Sequence, residues 1–239
     1  VHIDVFALFL IYQKDLNFAI FNLSNSFKYI TKIMSQFFPN YELIQLSSGI
    51  KLKVFNCQDT IFQFASVEPN AQLEPHQHKE SQLGMIFNGS LVIDLNGNKT
   101  LMQPLSHIYV AESNILHGAS NLEPKITEGF DLKRITDNSA TSILKLLPDE
   151  DTITNLPCQS VTGTWFKISI IKIPSGCPIP SHQSEQAEIG FILNGELQIT
   201  IENEEQYLNQ GQIYYAPSQV LHQGNNLSNQ EIYLIKILI

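Results

Sequence analysis

The chain has 239 residues, 43% of them hydrophobic and 15% charged, with 14 Lys and Arg against 23 Asp and Glu for a net charge of −9. That apolar content supports one large or two small domains with proper cores and excludes a disordered chain. The acidic balance argues against a nucleic-acid backbone or an anionic membrane surface as partner.

Residues 1–33 are rich in Phe, Ile and Asn and contain neither Gly nor Pro. Their most apolar stretch, Val5–Tyr12, is followed at once by Lys14 and Asp15. It is far shorter than the roughly 20 residues of a bilayer span. It also lacks the preceding positive charge and the cleavage site of a signal peptide. Met34-Ser-Gln-Phe-Phe-Pro39 reads like a natural start, so residues 1–33 are expected to be a translated upstream region, a cloning remnant or a loosely attached helix. The cysteines Cys57, Cys158 and Cys177 form no CxxC pair. They suit neither a disulfide framework nor a cysteine zinc site, and with the missing leader they predict a cytoplasmic protein.

From residue 41 onward the chain reads as short strands. Leu83–Phe87 and Ser90–Leu95 are β-rich runs around Asn88-Gly89, a strong hairpin signal, and Asn96-Gly97 supplies a second turn. The arrangement recurs: His76, Gln82 and Gly89 reappear 106 residues later as His182, Glu188 and Gly195, and His117 with Asn121 reappears 105 later as His222 with Asn226. A tandem duplication follows, with its link in Pro148–Pro157. The predicted fold is all-β, two tandem jelly-roll barrels at 41–147 and 148–239 behind an N-terminal extension at 1–40.

Five of the seven histidines fall inside the repeat: His76, His78, His117, His182 and His222. On a continuous strand, His76 and His78 point to one face, and Gln82 keeps that parity. A lone strand histidine is more often a hydrogen-bonded core or rim residue than a ligand. Three that share a motif repeated at fixed spacing predict a metal site. His76, His78 and His117 with Gln82 as oxygen donor suit a divalent transition metal: Fe, Co, Mn, Ni or Zn. In the second copy Ser184 stands where His78 would be, leaving His182, Glu188 and His222. That set is either a second metal site, of the two-His-one-carboxylate kind that holds non-haem iron, or a decayed site whose remnants hydrogen-bond one another.

The pattern His-x-His, three residues, Gln or Glu, six residues, Gly, then a later His-x3-Asn, resembles the two motifs of the cupin superfamily. Both copies match over about residues 45–239, which implies a bicupin. The stretch Glu74-Pro-His-Gln-His-Lys-Glu-Ser-Gln-Leu-Gly-Met85 and the later Asp131-Leu132-Lys133-Arg134 are similar to the bicupin isomerases of bacilysin biosynthesis, which share Gln in place of the usual Glu. The resemblance implies a metal-dependent double-bond isomerase acting on a dihydro-4-hydroxyphenylpyruvate-type 2-oxo acid. A neutral Gln leaves the ion more positive, which suits a Lewis acid that chelates such a substrate.

The general base is not legible; Glu80 and Arg134 are the catalytic candidates. Arg134, the sole arginine, fits a carboxylate clamp, but a salt bridge between the barrels is the favoured expectation. Trp165 is expected on the first strand of the second repeat, packing between domains or sheets. Two other functions stay open: an iron dioxygenase, and a non-enzymatic small-molecule sensor. The expected partners are the 2-oxo acid and a second copy of the chain joined through exposed sheet edges, without nucleic acid or membrane.

Overall fold

The computed structural model describes residues 35–46, 49–137 and 139–239; the expectations for residues 1–33 lie outside them. The described residues contain strands and turns and no helix, so none offers a helix able to cross a membrane. The first half runs β1 (Tyr41–Leu46), β2 (Ile50–Cys57), β3 (Thr60–Val67), β4 (Gln72–His76), β5 (Ser81–Asn88), β6 (Leu91–Leu95), β7 (Asn98–Met102), β8 (His107–Ala111), β9 (His117–Ser120), β10 (Thr127–Arg134) and β11 (Ser142–Lys145). The second runs β12 (Leu147–Glu150), β13 (Pro157–Thr162), β14 (Lys167–Ile173), β15 (Pro178–His182), β16 (Glu188–Asn194), β17 (Glu196–Ile201), β18 (Glu204–Asn209), β19 (Ile213–Ala216), β20 (His222–Asn225) and β21 (Ile232–Leu238).

Each half pairs a large sheet with a four-stranded one: β1-β2-β3-β10-β5-β8-β11 with β4-β9-β6-β7, then β12-β13-β14-β21-β16-β19 with β15-β20-β17-β18. One core fills each half. Ile50, Val67, Ile86, Leu91 and Ile93 pack together in the first, and Ile171, Ile192, Leu197, Ile199 and Leu234 in the second. A third core joins the halves, where Phe62, Leu83, Phe130 and Leu132 meet Ile168, Phe191, Ile235 and Ile237. The central strands are therefore buried on both faces, which is why the middle of β5, Leu83–Phe87, carries no polar side chain where a half-buried strand would alternate.

The alternation survives in β10, where it matters for the site. Phe130 and Leu132 face the joint core, so the period of two sends Asp131 and Lys133 into the first barrel.

The turns correct two expectations. Asn96-Gly97 closes the β6–β7 hairpin, with Leu95 paired to Asn98 and both turn residues at positive φ (53° and 84°). Asn88-Gly89 closes no hairpin: β5 pairs with β10 and β8, and β6 with β7 and β9. The dipeptide instead carries the chain from one sheet to the other, with Gly89 at φ 76° and a Cβ there only 2.6 Å from Thr127 Oγ1. Asn194-Gly195 does the same between β16 and β17. What Asn-Gly encodes is a left-handed backbone, and strand pairing is decided elsewhere. The link also moves. Pro148–Pro157 spans most of β12 and its turn into β13, and the chain crosses between the large sheets at Leu146.

The repeated asparagines are structural clamps. Asn121 Nδ2 donates to the carbonyls of Val67, Glu68 and Lys125, and Asn226 Nδ2 to those of Ile173, Pro174 and Gln230. Residues 35–40, expected to belong to an extension, reach the second half: Phe37 and Phe38 are buried in its core, and the Phe37 carbonyl accepts the Tyr215 amide at 2.8 Å. Trp165 lies in the β13–β14 turn and not on a strand, and there it packs against the joint core.

Asp151, in the β12–β13 turn, and Lys236, on β21, form a buried ion pair. Burial alone would raise the Asp151 carboxyl, but Lys236 and the Thr154 hydrogen bonds hold it below its ordinary value. A depressed folded pKa stabilises the fold above the unfolded carboxyl pKa, and the effect is lost as pH falls through the folded one. Asp151→Asn is expected to destabilise by about 3 to 5 kcal/mol at neutral pH, because it leaves the ammonium buried without its counter-charge. Its deficit in unfolding temperature against the parent should shrink as pH is lowered from 7 towards 3; a gap constant with pH would refute this.

Candidate metal centre

In the first barrel two of the histidines come from the four-stranded sheet and one from the chain that leaves it, while Gln82 comes from the larger sheet. His76 ends β4 opposite His117, which opens β9. β4 stops there, His78 lies in the connection, and Gln82 is the second residue of β5 in the other sheet. Shared strand parity therefore does not bring them together, contrary to expectation. The short crossing from β4 to β5 does so by wrapping the mouth of the barrel. The rings lie 4.4 Å (His76–His117), 4.9 Å (His78–His117) and 5.8 Å (His76–His78) apart between centroids. One ring nitrogen from each lies within 4.8 Å of the others.

The ring tautomers follow from their neighbours. Nδ1 of His76, His78 and His117 lies 3.0–3.1 Å from the carbonyls of Glu74, Glu80 and Ile115. A carbonyl only accepts, so each Nδ1 carries the proton and each Nε2 presents a lone pair. Nε2 of His117 is buried without a hydrogen-bond partner, and Nε2 of His78 faces Gln82 Oε1 at 3.0 Å, acceptor against acceptor. Convergent unpaired lone pairs beside an amide oxygen fit a divalent cation, and the N3O donor set suits a borderline transition ion. Burial lowers the pKa of His76 and His78 and takes His117 down to about 4, which keeps the rings in the neutral form that ligates.

Behind the ligands lies a network not foreseen from the sequence. Gln82 Nε2 donates to the Tyr109 hydroxyl at 2.6 Å, and that hydroxyl donates to Asp131 Oδ1. Tyr109, Asp131, Lys133 and Gln63 line a cavity of about 140 Å³ together with His76, Gln82, His117 and apolar residues such as Ile50, Leu52, Val67 and Ile93. Burial raises the Asp131 carboxyl, with Tyr109 and Lys133 opposing. It lowers the Lys133 ammonium, with Asp131 and Glu80 opposing. Among the described residues Lys133 makes no hydrogen bond or ion pair.

The glycine of the motif has a physical reason here. A Cβ on Gly84 would lie 2.4 Å from both Asp131 Oδ1 and Tyr109 Cε1. Gly84→Ala is therefore expected to push Tyr109 off Gln82 and lower metal affinity by tenfold or more, as supporting-residue changes do, read by metal titration. Unchanged affinity would show that the phenol is not needed.

The two catalytic candidates lie elsewhere. Glu80 is half exposed, with its carboxylate 3.3 Å from His78 Nδ1; it supports the outer side of that ring and does not line the cavity. Arg134 sits on the opposite face of β10 from Lys133 and pairs with Asp59 at 3.0 Å. Asp59 lies in the β2–β3 turn, so the salt bridge is made within the first half and not between barrels.

The second set assembles in the same way. His182 pairs in register with His222, and ligand atoms of His182, Glu188 and His222 lie within 4.8 Å of one another. Their Nδ1 atoms face the carbonyls of Pro180 and Val220 at 2.8 and 2.9 Å. Their Nε2 atoms stand 3.7 and 3.4 Å from the Glu188 carboxylate, which accepts from Tyr214 at 2.6 Å. Burial would raise Glu188, but the two histidines hold it well below the carboxylate range. The Ser184 hydroxyl accepts the Gln186 amide at 3.2 Å. The three cysteines are free thiols, and burial pushes Cys57 up to about 12, which marks it as inert core.

The comparisons agree with this architecture. Residues 169–238 match the cupin domain family. AerE from Microcystis aeruginosa is 55% identical, with a TM-score of 0.84 over 86% of this chain and 99% of that one. The chain therefore belongs to the cupin family, as a two-barrel member. The H2HPP isomerase of Bacillus subtilis is 27% identical over 196 residues, 80% of this chain and 83% of that protein. Bacillus subtilis oxalate decarboxylase, studied for its Mn(II) centres, shares the fold at 12% identity, with a TM-score of 0.68 over 84% and 76% of the two chains.

Proposed function

We propose that the first barrel is a metal-dependent isomerase site, which moves a double bond in a dihydro-4-hydroxyphenylpyruvate-type 2-oxo acid. The observation that carries this reading is an unpaired Lys133 ammonium beside three neutral imidazoles and a neutral Gln82, at a cavity with a largely aliphatic remaining wall. His76, His78, His117 and Gln82 would hold a divalent ion, which when bound supplies a Lewis acid for the 2-oxo acid group. With that ion, Lys133 and one carboxylate at Asp131, the site carries excess positive charge, and an anionic substrate balances it.

Lys133 offers its ammonium to the substrate carboxylate. Ile50, Leu52, Val67 and Ile93 give the hydrocarbon ring an apolar wall and keep water from it. Tyr109 is held as both acceptor and donor by Gln82 and Asp131, so it stays fixed in place. The identity of the H2HPP isomerase relative supports the choice of substrate class.

The test is to incubate the metal-loaded chain with a dihydro-4-hydroxyphenylpyruvate in deuterated buffer and follow the alkene by absorbance and NMR. Isomerisation without oxygen uptake is expected. A bound but unchanged ligand would point to a sensor. Oxygen uptake stoichiometric with substrate would favour a dioxygenase, a reading that His182, Glu188 and His222 support by their two-imidazole, one-carboxylate geometry.

A further inference from the structure

The two ends of a glutamine amide are alike in shape and opposite in hydrogen bonding, so a Gln ligand must be told which end to turn towards a cation. The network behind Gln82 does this. An ionised carboxylate only accepts, so the single proton of the Tyr109 hydroxyl goes to Asp131. The phenol oxygen is then left able only to accept, and Gln82 must present its NH2 to it, as it does at 2.6 Å. Oε1 is thereby turned to the side where the His78 nitrogen lies, 3.0 Å away.

The second barrel provides an internal control with the polarity reversed. There the residue in the place of Gln82 is Glu188, whose two ends are both oxygens, and Tyr214 donates its proton directly to it. The β21 residue in register with Gly190 is Lys236, where β10 sets Asp131 against Gly84. Lys236 is paired to Asp151. An acid competes for the phenol proton in the barrel whose ligand is an amide. In the barrel whose ligand is a carboxylate, a lysine stands in its place.

We infer that Asp131, acting through the Tyr109 hydroxyl, fixes which end of Gln82 faces the metal, and is the positioning residue that lets a neutral side chain serve as the fourth ligand. The inference rests on the reading of His76, His78, His117 and Gln82 as metal ligands. It also accounts for the charge: the negative charge that Glu188 carries at the second site is moved one residue outward at the first, so the ion keeps it as a neighbour and not as a ligand. Without Asp131, the phenol can donate to Gln82 Oε1, which turns the amide's two N–H groups towards the ion and repels it.

The experiment is a Co(II) titration of the full chain, followed by visible absorption and calorimetry, in a His222→Ala parent that isolates the first site. Asp131→Asn is expected to weaken Co(II) binding by roughly 10- to 100-fold, as supporting residues of metal ligands do. In a Gln82→Glu background, where no amide needs orienting, the same change should cost only the few-fold that loss of a nearby charge brings. Equal losses in both backgrounds, or no loss with Gln82 present, would overturn the inference.

If unfolding of the metal-free protein shows that Asp131→Asn does not fold, Tyr109→Phe is compared across the same two backgrounds. A large loss with Gln82 present and a small one in the Gln82→Glu background is expected, and equal losses overturn the inference as before. A His222→Ala parent that takes up no Co(II) would overturn the metal reading and this inference together. A parent that binds while its Asp131→Asn variant binds equally well overturns the inference alone.

Discussion

Replacing His117 by alanine is expected to empty the first site and abolish isomerisation, with a fall of roughly 10³-fold or more, since a Lewis-acid ion is worth several kcal/mol of transition-state stabilisation. His117 is the most consequential of the three because its Nε2 is buried and unpartnered and its ring lies close to both others. The same variant should lose the stabilisation that metal gives the native state, about 2.7 kcal/mol at a hundredfold excess over Kd. For a chain of this size that corresponds to a drop of roughly 5 to 10 °C in unfolding temperature. The drop should be absent when parent and variant are compared in chelator. A variant that unfolds earlier even without metal would assign His117 a packing role, and one that keeps its activity would remove it from the site.

Lys133→Met should raise KM for the 2-oxo acid by roughly 10- to 100-fold, from the 1.5–3 kcal/mol of a charged hydrogen bond. Met keeps most of the apolar stem, so packing is largely preserved. Metal affinity should hold or improve, because Lys133 is a like charge that also depresses all three histidines. The discriminating control is an analogue without the carboxylate, for which parent and variant should be equally poor. Unchanged KM would place the substrate carboxylate elsewhere, and a loss of metal would make Lys133 structural.

The ligand residues are legible in the sequence because a metal site needs particular atoms, and those atoms recur at fixed spacing in both copies. Strand parity does not explain their convergence. His76 and Gln82 lie on strands of different sheets, and what unites them is a short crossing whose path no periodicity reveals. Asn88-Gly89 misleads in the same way, since a positive-φ pair looks identical whether it closes a hairpin or changes sheets.

Tyr109, Asp131 and Lys133 are hidden for a different reason. Each is an ordinary strand residue until the pairing of β5 with β10 and β8 places it opposite Gly84 or Gln82. The stretch Asp131–Arg134 carries part of the family resemblance, but its candidate was Arg134, and the cavity face carries Asp131 and Lys133 instead. Long-range pairing decides which side of the strand matters.

The most direct test of the first barrel as a metal centre is metal content per chain, measured on untagged protein for the parent and His78→Ala side by side. The variant is expected to contain one equivalent less than the parent, whether the parent holds one or two. Equal metal in both proteins, or none in either, would contradict it.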